Sequence, residues 1–561
     1  MRISPVLVLL VLLLTASAAA SQITHPIIRE FLPNPAAPRD QGEYVIISNP
    51  ADHTIDLSGF ILTDLEGEFE IPNQTILEPG ADYQIKLPVH GIHLSNSGDE
   101  VILLNSNRSM VDCAIYGDSG YSGEGWNGTG PGRAAEERIF RRFYLDNDTD
   151  TAYEWLPLRE YYRGQSNIMP PQRSFSGRVT AFVSPDCSLM TLQEEIRNAS
   201  VLRVNIYLFE SHDIEREVLD MLNRGGEVYI LIEESPVGGI SDSEIGILRR
   251  IMEEGGRVCF SDDPLYRLNH AKYALIDHDT TIIGSENWNS GGYPPDGFSG
   301  NRGWGIVIRD RDIFSDLSTV FEHDWEHGTE IGTKDLPQES GRKRQDEPED
   351  RIRYHVFDAE DISGDFTADV IVAPDNSLRY ETLIGMINSA EKTVYIEQAY
   401  ITGDWNGCKN PYLQAAVDAA RRGVEVRILL DSMWYNKNDA DDNDELCRDL
   451  NDLASQENLN LEARLVKRDG ISKIHNKGVI VDEKKVLISS INWNKHSPTY
   501  NREAGIIIEN PDLAAYYTGA FRCDWNTERR SPTSAMFVLL VILVVVLFAS
   551  AIYRMSRRRG S

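Results

Sequence analysis

One pattern occurs twice in this 561-residue chain and constrains everything around it. The first copy reads Asn269-His270-Ala271-Lys272 and runs on to Asp277; the second reads Ile474-His475-Asn476-Lys477 and runs on to Asp482. Each is His-x-Lys-x4-Asp. Ser285, Asn287, Trp288 and Asn289 follow His270 at the spacings at which Ser490, Asn492, Trp493 and Asn494 follow His475. Two copies with matched downstream residues are the signature of an internal repeat. Alternation puts His270 and Lys272 on one face of a strand, with apolar residues behind them running into a core, and the same holds for His475 and Lys477. Burial of two duplicated histidines would not by itself require the shared Ser and Asn.

These residue types suit phosphoryl chemistry. Lys offers a point charge with three donors for phosphate oxygens. Neutral imidazole can attack phosphorus, and imidazolium can protonate a leaving oxygen. One motif supplies one His, so a two-His reaction needs both copies.

The doubled pattern resembles the phospholipase D superfamily. The resemblance implies a reaction that uses no metal and no cofactor. One His forms a phosphohistidine; the other protonates the leaving alcohol, then activates water or an acceptor alcohol. Lys272, Lys477, Asn287 and Asn492 would hold the phosphate oxygens as charge builds, supported by Ser285 and Ser490. Asp277 and Asp482 complete the two motifs but stand beyond the strands, as structural residues. The copies differ at one place. The second continues Asn501-Arg502-Glu503, and the family often sets an acid there that hydrogen-bonds a His and raises its basicity. The first continues Asn301-Arg302-Gly303. Pseudo-twofold pairing would bring the end of each repeat to the His of the other. His270 and His475 are therefore expected across one pocket, with Glu503 orienting His270 as nucleophile. His475 then lacks an equivalent acid unless Glu286 or Asp296 serves it.

The expected fold class is multidomain. An N-terminal all-β immunoglobulin-like sandwich precedes two homologous α/β repeats and a C-terminal transmembrane helix. Short apolar runs such as Tyr44-Val45-Ile46-Ile47 and Val101-Ile102-Leu103-Leu104, separated by turn residues, place the sandwich at 22–135. Phe31-Leu32-Pro33-Asn34-Pro35, Asp56-Leu57-Ser58-Gly59-Phe60 and Leu94-Ser95-Asn96-Ser97-Gly98-Asp99 resemble a lamin-tail domain, a module expected to bind another surface component or act as a spacer. Asp56, Asp64 and Asp99 read as turn formers. Residues 136–178 read as an irregular connector. Repeat 1 spans 179–330, a charged linker 331–355, and repeat 2 356–530. Ser184-Pro185-Asp186 opens one repeat and Ala373-Pro374-Asp375 the other; Asp324-Trp325 and Asp524-Trp525 close them. Alternating strands and helices predict α/β repeats with a parallel or mixed sheet.

The ends suggest a compartment. Residues 1–20 read as a signal peptide with small-residue cleavage sites. Residues 535–553 are uncharged and long enough to span a bilayer, and the basic tail 554–561 would lie in the cytoplasm. The expectation is a single-pass protein of the cell membrane with its N-terminal part outside. Asn73, Asn107, Asn127, Asn147 and Asn198 open Asn-x-Ser/Thr sequons. Six cysteines suit an oxidising compartment, with Cys187–Cys259 and Cys408–Cys447 the first pairs to test. No Cys-x-x-Cys is present, which argues against structural zinc.

The net charge of −32 disfavours loose binding to polyanions. The leading expectation is a membrane-tethered, outward-facing phosphodiesterase or phosphatidyltransferase acting on phospholipid-type diesters. An extracellular nuclease is the alternative within the family, and a surface-binding protein with a weakened site is the alternative outside it.

Overall fold

The computed structural model describes residues 23–527, apart from 36–41, 136–137, 143–147, 156–160, 163–164, 262–264, 339–351, 406–408 and 434–441. It divides into two units. One comprises residues up to Asn167 with Asp262–Arg267, and the other comprises Ile168–Ser261 with the chain from Leu268 onward.

The first unit is all-β. A sheet ordered Tyr161–Tyr162, Arg138–Arg141, Ile27–Leu32, Tyr44–Ser48, Asp82–Lys86 accompanies another ordered Glu68–Glu70, Ile61–Thr63, Gly98–Leu104, Met110–Gly117. Alternate residues of these strands, among them Phe31, Val45, Ile47, Val101, Leu103 and Ile115, fill one core. The segment read as an irregular connector contributes to this unit. Arg138–Arg141 pairs with Ile27–Leu32, and Phe140 and Trp155 close on Phe31 at ring-centroid distances of 5.0 and 5.3 Å. Its strand is short and flanked by polar residues, so periodicity alone did not reveal it. Asp64 and Asp99 hold turns as expected, accepting from the backbone N–H of Gly67 and of Ser95 at 2.7 and 2.8 Å.

The second unit is built on one 15-stranded mixed sheet. In each repeat the motif strand lies in the middle. Lys272–Ile276 runs antiparallel to Val201–Ile206, which leads a parallel set with Glu227–Glu233 and Arg257–Ser261. Lys477–Val481 stands in the same relation to Thr393–Gln398, Glu425–Leu430 and Leu461–Leu465. On the other side of the motif strands come Thr280–Gly284 and Gly303–Arg309 in repeat 1, and Lys485–Ser489 and Glu503–Glu509 in repeat 2. The halves join where Arg173–Ser184 pairs antiparallel with Glu360–Ala373, from Arg173↔Ala368 to Ala181↔Glu360. The final helices Arg311–His327 and Pro511–Asn526 start at matching caps, the Asp310 and Asn510 side chains accepting from the third N–H beyond at 3.0 and 2.9 Å.

Two expectations require correction. No helix among the described residues is long and apolar enough to cross a membrane. The long final helices carry Asp316 and Glu322, or Asp512 and Arg522, and bury only one face against the sheet. The expected C-terminal transmembrane helix is thus not part of this fold; residues 535–553, like 1–20 and 554–561, lie outside the described residues. Cys187 and Cys259 are not bridged either. Each keeps a buried thiol, donating to the carbonyls of Val183 and Phe260 at 3.5 and 3.6 Å. Cys447 also keeps its thiol, and Cys408 lies outside the described residues.

Candidate active site

Each motif His enters the site on a short backbone bridge to the other repeat. His270 N–H donates to Arg502 C=O at 2.8 Å and His475 N–H to Arg302 C=O at 2.9 Å. The strand beginning at Glu503 therefore arises beside His270, and the strand beginning at Gly303 beside His475. This is the pseudo-twofold exchange expected from the repeat. Trp304 consolidates it: a Cβ on Gly478 would lie 2.4 Å from the indole ring.

Carboxylates meet both imidazoles. Glu503 Oε2 lies 2.8 Å from His270 Nδ1 in a buried hydrogen bond. The other oxygen, Oε1, accepts from Ser497 Oγ and from Asn501 Nδ2, the latter at 3.2 Å. Glu286 Oε2 lies 3.3 Å from His475 Nδ1, a looser contact, and accepts from Asn301 Nδ2 at 3.1 Å. Asp296 is exposed and does not serve this place.

The lysines are buried with the histidines. Lys272 Nζ donates to His270 C=O at 2.7 Å and stands 5.4 Å from the centre of the Tyr207 ring, which meets His270 edge-on. Lys477 Nζ donates to His475 C=O. Burial lowers the pKa of Lys272 to about 7, against the pull of Glu503, and that of Lys477 to about 8, against Glu286. The Lys477 ammonium also depresses Lys272 and His270, so both motifs act within one electrostatic site. Burial dominates at the histidines too, holding His270 at about 4 and His475 at about 3 despite their carboxylates. Both imidazoles are neutral at pH 7.

A model of the PLD-like domain of cardiolipin synthase matches residues 192–325 and 383–525, one match in each repeat, and a Lamin Tail Domain model matches 19–118. The chain belongs to the phospholipase D superfamily. Curated relatives include a phospholipase D of Rickettsia conorii, 32% identical over 136 residues, and one of Rickettsia bellii, 32% identical over 132. These matches take in 24% and 23% of this chain and only 58% and 56% of the relatives' own length. Among solved structures, the phosphatidylserine synthase of Haemophilus influenzae is similar with a TM-score of 0.43 at 12% identity, covering 62% of this chain and 84% of that one. The phospholipase D family member Nuc of Salmonella typhimurium is similar with a TM-score of 0.24 at 17% identity, covering 29% and 99%.

The remaining superfamily motif residues divide into two kinds. Asn287 and Asn492 keep buried side-chain oxygens without a hydrogen-bond partner among the described residues. The others hydrogen-bond or pack against the chain around the site. Ser285 Oγ accepts from Trp304 N–H at 3.0 Å, and Ser490 Oγ from Ala504 N–H at 3.0 Å, fastening the strands that begin at Gly303 and Glu503. Asp277 and Asp482 adopt φ of +54° beyond the strands and accept from Val201 and Thr393 N–H at 2.9 Å. Trp288 and Trp493 are buried, and Asn289 and Asn494 close the turns after them.

Sequence reading missed two buried arginines. Arg302 pairs with Asp186 of its own repeat at 2.7 Å and with Asp524, at the end of the other repeat, at 2.6 Å. Arg502 pairs with Asp375 at 3.1 Å and with Asp324 of the other repeat at 2.8 Å. The signal lay in the matched dipeptides Asn-Arg, Pro-Asp and Asp-Trp, which marked the repeat without disclosing that they meet. Tyr207 was also missed, having no counterpart in repeat 2, where Ala399 follows the equivalent strand.

Proposed function

We propose that the chain is a phosphodiesterase or phosphatidyltransferase working through a phosphohistidine on phospholipid-type diesters. One observation carries this reading: each motif His has its Nδ1 against a carboxylate of the other repeat. At His270 the Glu503 hydrogen bond engages Nδ1 and leaves Nε2 for chemistry, while Nδ1 of His475 stands 3.3 Å from Glu286, within ion-pair range but without a hydrogen bond. In the first step the Nε2 lone pair of His270 forms a bond to phosphorus while the bond to the leaving alcohol breaks, and His475 gives that oxygen a proton. In the second, neutral His475 takes a proton from water or an acceptor alcohol, whose oxygen displaces His270. For the first role His475 must carry a second proton, on Nε2; binding of the anionic diester beside it favours uptake of that proton from solvent, and the proton then passes to the leaving oxygen. Lys272, Lys477, Asn287 and Asn492 hold the non-bridging oxygens as charge builds. His270 is the nucleophile in this reading because its carboxylate contact is the tighter, which makes Nε2 more basic.

Phospholipid is favoured over nucleic acid on two grounds. The matching relatives are named phospholipases D, and a net charge of −32 opposes a polyanion. The test is turnover of phospholipid vesicles by the purified chain, with and without an added alcohol, beside single- and double-stranded DNA. Lipid cleavage lost in His270→Ala and His475→Ala, and kept in EDTA, is the expected result. Faster cleavage of DNA would transfer the assignment to a nuclease. Activity lost in EDTA and restored by one divalent ion would refute the metal-free mechanism.

We also propose that these units face outward from the cell. The four sequon asparagines within the described residues, Asn73, Asn107, Asn127 and Asn198, are all exposed, which supports the reading. A mobility shift on deglycosylation of the native protein is the expected outcome; unmodified sequons in native material would count against it.

A further inference from the structure

The two repeats present their acids from different positions. In repeat 2 the acid is Glu503, directly after Arg502, and the residue after Ser490 is Ile491, which is fully buried in an apolar core. In repeat 1 both positions are changed: Gly303 follows Arg302, and Glu286 follows Ser285. The structure shows why the changes go together. A Cβ placed on Gly303 would lie 2.5 Å from both Cγ and Oε1 of Glu286 and 2.6 Å from Ser285 Oγ, closer than real Cβ contacts come. Gly303 thus leaves the space that the Glu286 side chain fills. Each acid then takes an amide donor from the Asn two places before its repeat's strand position, although Glu286 Oε1 and His475 Nδ1 make no hydrogen bond where Glu503 is fully engaged. Asn301 Nδ2 donates to Glu286, and Asn501 Nδ2 donates to Glu503, although these acids come from non-equivalent strand ends. Both reach Nδ1 of the other repeat's His, at 3.3 and 2.8 Å.

We infer that Glu286 is the positioning residue of His475, an acid relocated from the strand position to the one after Ser285, and that Gly303 is the cavity this relocation requires. Glu286 fixes the tautomer with the proton on Nδ1 and turns Nε2 toward the phosphate. It acts through His475 and does not touch substrate. The inference rests on the phosphodiesterase reading for its kinetic consequence but not for its spectroscopic one.

Three variants test it: Glu286→Gln, Glu286→Ile, and the exchange Glu286→Ile with Gly303→Glu, which gives repeat 1 the arrangement of repeat 2. The tautomer of His475 is read by 15N NMR of histidine-labelled protein, independently of any substrate. Turnover and its pH profile are read on the vesicles used above. Glu286→Gln is expected to lower kcat tenfold to a thousandfold with KM little changed, and to move the limb of the profile that follows His475. Glu286→Ile is expected to scramble the tautomer, and the exchange to restore it, with kcat within tenfold of the parent. An exchange variant that folds but shows neither the tautomer nor any gain in rate over Glu286→Ile would overturn the inference. So would a Glu286→Gln protein with unchanged kcat and pH profile. If the parent turns over no diester, the earlier reading falls, while the tautomer measurement still decides the role of Glu286.

Discussion

At the scale of residues, the site is a pair of neutral imidazoles beside two lysines kept short of full charge. Glu503→Gln removes the anion at His270 Nδ1 and should slow phosphoenzyme formation by about tenfold to a thousandfold, a loss of about 1.4–4 kcal/mol. Rapid-quench trapping measures this, and mass spectrometry should map the phosphate to His270. Because Lys272 and Lys477 titrate at about 7 and about 8, a bound oxyanion raises both and draws in protons. Calorimetry of vanadate binding at pH 8, in buffers of different ionisation enthalpy, should show proton uptake that vanishes below about pH 6. The histidines bear on stability as well. Their folded pKa values, about 4 and about 3, lie below the unfolded value of 6.5. The unfolded chain therefore binds more protons in that window. Stability is retained above pH 6.5 and lost progressively as pH falls toward 3. Denaturation across pH should show a shallower acid slope in His475→Ala. The His-Lys pairs were legible in sequence because chemistry fixes both their types and their spacing. Glu286 was legible only as one of several acids. Its claim depends on the volume absent at Gly303, seventeen positions later, and that is visible only when the two strand ends lie side by side.

At the scale of elements, each motif strand ends in a turn that its Asp secures. Asp482 accepts backbone N–H groups of Lys392 and Thr393 at 2.7 and 2.9 Å, tying the Lys477–Val481 turn to the neighbouring strand. Asp482→Ala leaves these donors short of a partner and should cost about 1–3 kcal/mol in a denaturant titration while changing kcat by only a fewfold. A collapse of kcat in a variant of native stability would make Asp482 part of the chemistry. The strands themselves were legible because alternation and β-branched runs persist over five or more residues. Arg138–Arg141 was not, since four residues between polar neighbours carry too little periodicity, and its place is set by pairing with Ile27–Leu32, more than a hundred positions earlier.

At the scale of the whole second unit, the repeats are fastened by the two buried arginines, whose carbonyls also hold the motif histidines. Removing one carboxylate, as in Asp524→Ala, strands part of a buried charge and should cost about 3–5 kcal/mol. Fluorescence and hydrogen exchange should still report one unfolding transition for both repeats; two separate transitions in the parent protein would show that the clamps do not couple them. The seam between the repeats carries a further consequence. Along it Ser176 faces Asp365, and laying Ser184-Pro185-Asp186 on Ala373-Pro374-Asp375 makes those two residues the same position. A position that meets its own counterpart is what a homodimer places on its dyad. In a homodimer every substitution appears on both sides of the axis at once, so the two sides of a shared cleft stay identical. Encoded in tandem in one polypeptide, each side can drift alone, and a cleft so freed can greet the unlike arms of an asymmetric diester with unlike walls.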